Sequence, residues 1–142
     1  MIERLQQHGV PAGHVCFEIT ETAAVARLSR VVALMKRLEG DLAILGIAGK
    51  MGVTMGLAAV NAIRAAGVKK TVYGVSRFSD PGAAQTLERA GIVPIRCDLL
   101  DRAAVAKLPD APNVVFMAGR KFGTSGDEEL TWAMNTIVPA HV

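Results

Sequence analysis

Aromatic residues are scarce: Phe, Trp and Tyr make up 4% of this 142-residue chain, with one tyrosine and one tryptophan. A core built without them must be filled by Ala, Val, Leu, Ile and Met, and hydrophobic residues do account for 51% of the sequence. Cysteine is nearly absent too. Cys16 and Cys97 both fall in apolar, strand-like runs, with no CxxC and no Cys/His spacing. That pattern speaks for two buried thiols and against a disulfide framework or a zinc site. Nor does charge of one sign dominate. Sixteen basic and 13 acidic side chains leave +3, with Lys and Arg scattered rather than gathered into a stripe with aromatics. Nucleic acid is therefore not an expected partner. No uncharged apolar run reaches the length of a bilayer span, and no signal peptide is apparent, so no membrane partner is expected and the chain reads as cytoplasmic. There is no internal repeat and no low-complexity tract. The length suits a single domain, 1–142, able to bury about 70% of its unfolded surface.

What the chain does contain is a regular exchange of strand-like and helix-like stretches, punctuated by glycine. In 14–20, Val15, Phe17 and Ile19 alternate with His14, Cys16 and Glu18. A helical stripe of Val25, Leu28, Val32, Met35 and Leu38 follows, with Thr22 to cap it and Gly40 to end it. An apolar run over 42–47 has the length of a strand buried on both faces, and Val53, Leu57, Val60 and Ile63 then recur at helical spacing up to Gly67. Further strands are predicted over 71–75, 92–97 and 113–118. The matching helices cover 83–90, a short piece after Asp101, and 128–137. Pro94 cannot donate to a ladder, so its strand belongs at a sheet edge.

Five βα units predict an α/β protein: a three-layer, Rossmann-like fold with a five-stranded parallel sheet and helices on both faces. Named by first residue, the strands should run 92, 71, 42, 114, with strand 14 beside strand 114. Right-handed crossovers then place the helices after strands 14, 42 and 71 on one face and the other two opposite. A monomer is expected, or a dimer by strand exchange if strand 14 pairs with another copy.

The chemistry concentrates between the strand at 42–47 and its helix. Gly46, Gly49 and Gly52 recur at three-residue intervals there. In such a turn the first glycine allows a tight bend, the second lets backbone approach a pyrophosphate, and the third lets the helix start close to the strand. The helix N-terminus then presents free N–H groups and its dipole to the anion. Lys50 lies inside this turn, where it can pair with phosphate or remain a solvated side chain. His8, His14 and His141 have no partner spacing and receive no role.

Two resemblances follow from particular motifs. Phe17-Glu18-Ile19-Thr20-Glu21-Thr22, within 8–39, resembles one strand and helix of the EAL-domain cyclic di-GMP phosphodiesterases, a barrel family. The resemblance implies a metal ligand at Glu18 and a loop-steadying role for Glu21. The family's Glu-Ala-Leu signature, Asp-Asp-Phe-Gly loop and catalytic lysine are absent, and one carboxylate does not make a metal site. From Asp41 onward the chain resembles the N-terminal half of an NAD-dependent epimerase/dehydratase, an extended short-chain dehydrogenase. The motifs are GIAGKMG (46–52), GVSRF (74–78), CDLLD (97–101), VVFMAG (114–119) and Asn135.

That second resemblance implies a dinucleotide site at Gly46, Gly49, Lys50, Met51, Gly52, Ser76, Arg77, Asp98, Leu99, Ala118 and Gly119. Asp98-Leu99 would lie beside the adenine, and 114–119 would run under the cofactor. Ser76 and Arg77 stand where an NAD enzyme carries an acid for the ribose 2′-hydroxyl. A hydroxyl and a guanidinium suit a 2′-phosphate, so NADP is favoured over NAD; an ordinary polar strand end weighs equally. The family's Tyr-x-x-x-Lys pair is missing, since Tyr73 is followed four residues later by Arg77, and the substrate-binding half is expected to be absent. The chain therefore reads as an engineered or recombined chimera with residual NAD(P) or nucleotide binding and no catalysis. The alternatives are a purely structural chimera without a ligand and, behind it, a residual epimerase/dehydratase-type enzyme.

Overall fold

In a computed structural model of the chain, the residues described are 7–9, 28–120 and 126–142. Helix α1 (Leu28–Arg37) leads into β1 (Leu42–Leu45), and a glycine turn joins β1 to the long helix α2 (Gly52–Ala66). Then come β2 (Val72–Ser76), α3 (Pro81–Ala90), β3 (Val93–Arg96), the short α4 (Arg102–Val105) and β4 (Asn113–Phe116). The last segment is one continuous helical rod: α5 (Glu128–Trp132), a π-helical turn (Ala133–Ile137) and α6 (Val138–His141).

The strands form one parallel sheet in the order β3-β2-β1-β4, the order expected for these four. It has four strands where the sequence predicts five. The missing one, expected at 14–20 beside β4, lies outside the described residues, as do Cys16, Glu18, Glu21 and Thr22. Among the described residues no strand pairs with the outer edge of β4.

β1 sits at the centre, and all four of its residues are buried. Because side chains alternate across a strand, Leu42 and Ile44 face one side and Ala43 and Leu45 the other. On the first side they join Met35 of α1, Ala59, Val60 and Ile63 of α2, and Leu87 of α3. On the second they join Val75, Cys97, Leu99 and Val138. α1 packs along α2, so α1, α2 and α3 share one face and the C-terminal rod lies on the other, as handedness requires. Pro94 lies on β3, an outer strand.

Helix ends follow their capping chemistry. Asp80 accepts the Gly82 N–H at 2.9 Å, and Pro81 takes the first helical position. α3 therefore starts at Pro81, two residues earlier than the sequence predicts, because the apparent turn residues are its cap. Asp101 accepts the Ala103 and Ala104 N–H groups and caps α4. The rod runs on to His141 rather than ending at 137.

The N-terminal ends of the strands are tied together by polar side chains. Lys70 Nζ donates to the carbonyls of Leu38 and of Gly40, the latter at 3.0 Å. Asn113 Nδ2 donates to the Glu39 carbonyl at 2.6 Å and the Asp41 carbonyl at 3.0 Å. Asp41 in turn accepts the Thr71 N–H at 2.7 Å. The connection 38–41 is thus held from β2 on one side and β4 on the other.

Candidate functional site

All strands of a parallel sheet end on one side, so the loops after β1, β2, β3 and β4 form a single crest. Hydrogen bonds lock these loops to one another. Gly46 N–H donates to the Val75 carbonyl at 2.8 Å, Met117 N–H to Leu45 at 2.8 Å, and Cys97 N–H to Ser76 at 3.0 Å.

Gly46 turns the chain with φ +87°, and a β-carbon there would come within 2.5 Å of the Ala118 nitrogen. Only glycine meets both demands. At Gly52 a β-carbon would fall 2.2 Å from the Ile47 carbonyl oxygen, so α2 begins pressed against the strand it leaves. Gly49 differs: it is exposed, and its nearest obstacle is the Gly46 carbonyl oxygen at 3.2 Å. Gly46 and Gly52 are thus required by backbone contacts, while Gly49 is exposed, with its N–H donating to Gly46 and its carbonyl accepting from Gly52.

Lys50 is exposed and Met51 takes the N-cap position of α2 without a side-chain cap bond. The bonds that close this first turn run from Gly52 N–H to Gly49 and from Met55 N–H to Met51. The N–H groups of Val53 and Thr54 have no backbone acceptor among the described residues, which is the state of a helix start that faces an anion or water.

At the exit of β2, Ser76 is half-buried and Arg77 exposed. Phe78 then adopts φ +49° while burying its ring, a conformation that costs on the order of 1 kcal/mol. Arg96, the last residue of β3, holds this turn: its Nε donates to the Arg77 carbonyl at 2.8 Å and its Nη2 to the Phe78 carbonyl at 3.1 Å. No signal in the sequence marks Arg96. Its role depends on β3 lying in register with β2, where Ser76 faces Arg96. A groove of about 360 Å³ lies beside the turn, lined by Phe78, Pro81, Ala84, Glu88, Pro94 and Arg96.

After β3, the two residues of the expected adenine corner do different work. Asp98 accepts the Leu100 N–H at 3.0 Å, while Leu99 is buried in the core beside Val75 and Val138. Burial pushes the Cys97 thiol above its ordinary range, and the carboxylates of Asp101 and Asp98 add to the effect.

After β4, Ala118 meets Gly46, and Gly119 faces Asn135, whose Oδ1 would lie 3.1 Å from a β-carbon. Asn135 grips the next residue twice, accepting the Arg120 N–H at 2.9 Å and donating to the Arg120 carbonyl at 2.7 Å. It sits in the π-turn, Ala133–Ile137. The Arg120 guanidinium pairs with Asp127 at 2.8 Å.

The single tyrosine lies at the other end of the sheet. Tyr73 OH comes within 3.4 Å of Asp41 Oδ2, on the side of the strand N-termini. Among the described residues there is no group of three or more His, Cys, Asp or Glu side chains able to hold a metal. No described helix is long and apolar enough to cross a membrane. In comparisons with known proteins, no family model matches the chain, and no match is found among curated proteins.

Proposed function

We propose that this chain is a nucleotide-binding module, a chimeric Rossmann-like domain that takes the ADP half of a dinucleotide on its glycine turn and catalyses nothing. The observation that carries this reading is the start of α2. N–H groups at Val53 and Thr54 without an acceptor among the described residues stand beside Gly49, the exposed glycine of the turn. A pyrophosphate needs little more than that. Arg77 and Ser76 at the exit of β2 favour NADP over NAD. The nicotinamide end would have no tyrosine to meet, since Tyr73 is turned to Asp41 at the far end of the sheet. With few contacts to offset the association cost, affinity falls in the range of about micromolar to millimolar.

The test is a titration with ADP, NADP and NAD followed by heteronuclear NMR or calorimetry. Shifts concentrated at 46–54, abolished in Gly49→Val while the fold persists, support the site. No shift at millimolar ligand removes it. Turnover in epimerase, dehydrogenase or cyclic di-GMP phosphodiesterase assays that is lost in Tyr73→Phe or Glu18→Gln overturns the non-catalytic reading.

The second reading, a structural chimera with no ligand, is favoured by the adenine corner. Leu99 is spent in the core, and Asp98 is engaged with the Leu100 N–H.

A further inference from the structure

We infer that Arg96 is the positioning residue that gives the β2 exit a preference for a phosphate monoester over a hydroxyl. The inference rests on the nucleotide-binding reading above. One edge of the Arg96 guanidinium, Nε and Nη2, is occupied by the carbonyl oxygens of Arg77 and Phe78 at 2.8 and 3.1 Å. A planar fork fits two successive carbonyls as a flexible ammonium cannot. The fork holds the chain through the left-handed residue Phe78, whose ring is anchored in the core. Together they fix where the backbone of Arg77 stands and send its side chain into solvent.

Two consequences bear on a ligand at the crest. The Arg77 guanidinium, with no partner among the described residues, is presented from a rigid turn rather than a mobile one. Less ordering is then needed when it meets an anion. The second edge of the Arg96 guanidinium also has no hydrogen-bond partner among the described residues, so two cations stand at the ends of neighbouring strands. Of the neighbouring acids, Asp80 is engaged in capping α3 and Asp98 accepts the Leu100 N–H, while Glu88 lines the groove it shares with Arg96. A ribose carrying a 2′-phosphate matches that charge; a free 2′-hydroxyl does not.

The experiment compares adenosine 2′,5′-bisphosphate with adenosine 5′-monophosphate, which differ only by the phosphate in question. They are titrated into the wild-type chain, Arg96→Gln and Arg96→Lys, and amide signals are followed by NMR. The wild type is expected to bind the bisphosphate at least fivefold tighter. Both variants should lose most of that ratio, because lysine keeps the charge but not the fork. Without ligand, both should shift the amides of Arg77, Phe78 and Ser79 and speed their exchange. Full retention of the ratio in Arg96→Lys overturns the positioning role, as does an equal loss of affinity for both ligands. Binding of both nucleotides by the wild type without preference removes this inference and leaves the nucleotide site standing. No binding of either removes both.

Discussion

Gly46 and Ala118 approach so closely that a β-carbon on the glycine would lie 2.5 Å from the alanine nitrogen. The turn after β1 and the end of β4 therefore share one space, and the crest is assembled by contact between loops far apart in sequence. This separates the three glycines by consequence. Gly46→Ala and Gly52→Ala should each cost about 2–4 kcal/mol, from left-handed strain at the first and backbone overlap at both. Thermal melts should show Tm falling by roughly 5–12 °C. Gly49→Val should stay within about 1 kcal/mol of the parent. A Gly49 variant as damaging as the other two would contradict the open surface assigned to it.

Asn135 supplies a second test of the crest. Losing its two bonds to Arg120 in Asn135→Ala should destabilise by about 1–3 kcal/mol. Faster hydrogen exchange at the Arg120 amide should accompany the loss. If stability falls and that amide stays protected, the clamp is not what holds the end of β4.

At the opposite end, Lys70 and Asn113 hold the same four residues, 38–41, from two sides. Lys70→Met and Asn113→Ala should each cost about 1 kcal/mol. Residues that share a partner couple. Once one grip is lost the segment relaxes, so the double variant should cost at least about 0.5 kcal/mol less than the sum, measured by chemical denaturation. Strict additivity would mean the two ties act on independent segments.

The Cys97 thiol gives a pH dependence with a definite sign. Its pKa is raised in the fold by burial first and by Asp101 and Asp98 next. The native state therefore keeps its proton to higher pH than the unfolded chain does. The contribution is fully present below the ordinary thiol pKa of about 8.5 and is lost as pH rises through the folded value. Denaturation midpoints should decline from about pH 8.5 upward until the folded value is passed, and less so in Cys97→Ala. Alkylation of Cys97, followed by peptide mass spectrometry, should be slow at neutral pH until denaturant is added. Rapid labelling of the native chain would refute the assignment.

Much of this architecture is legible in the sequence. The apolar run at 42–47 reads as a strand buried on both faces, Pro94 as a mark of an outer strand, and the order of the described strands follows from the Rossmann rule, with crossover handedness placing the helices. The glycine spacing located the crest because Gly52 is required by the backbone of Ile47, a few residues away, and Gly46 by its own left-handed turn, although the contact of Gly46 with Ala118 is distant in sequence. Other features depend on neighbours distant in sequence. Arg96 looks like any strand-end arginine until β3 lies beside β2. Phe78 carries no mark of its left-handed backbone, since turns of that kind are usually given to glycine or asparagine. The π-turn around Asn135 was not visible because helical periodicity hardly changes across five residues. Leu99 was assigned to the ligand by its motif, while its burial with Val75 and Val138 shows that the core claims it as well.

The ties at Lys70, Asp41 and Asn113 gather at the strand N-termini, and the glycine turn, Arg77 and Gly119 gather at the other end. The exposed side chains of the crest are thus separated from these ties by the length of the sheet. A library that randomises Ala48, Gly49, Lys50, Arg77 and Ser79, all exposed at the crest, would sample new ligands against a nearly constant folding background. The same number of changes at the opposite pole would be screened first for survival, and only afterwards for anything the surviving proteins could bind.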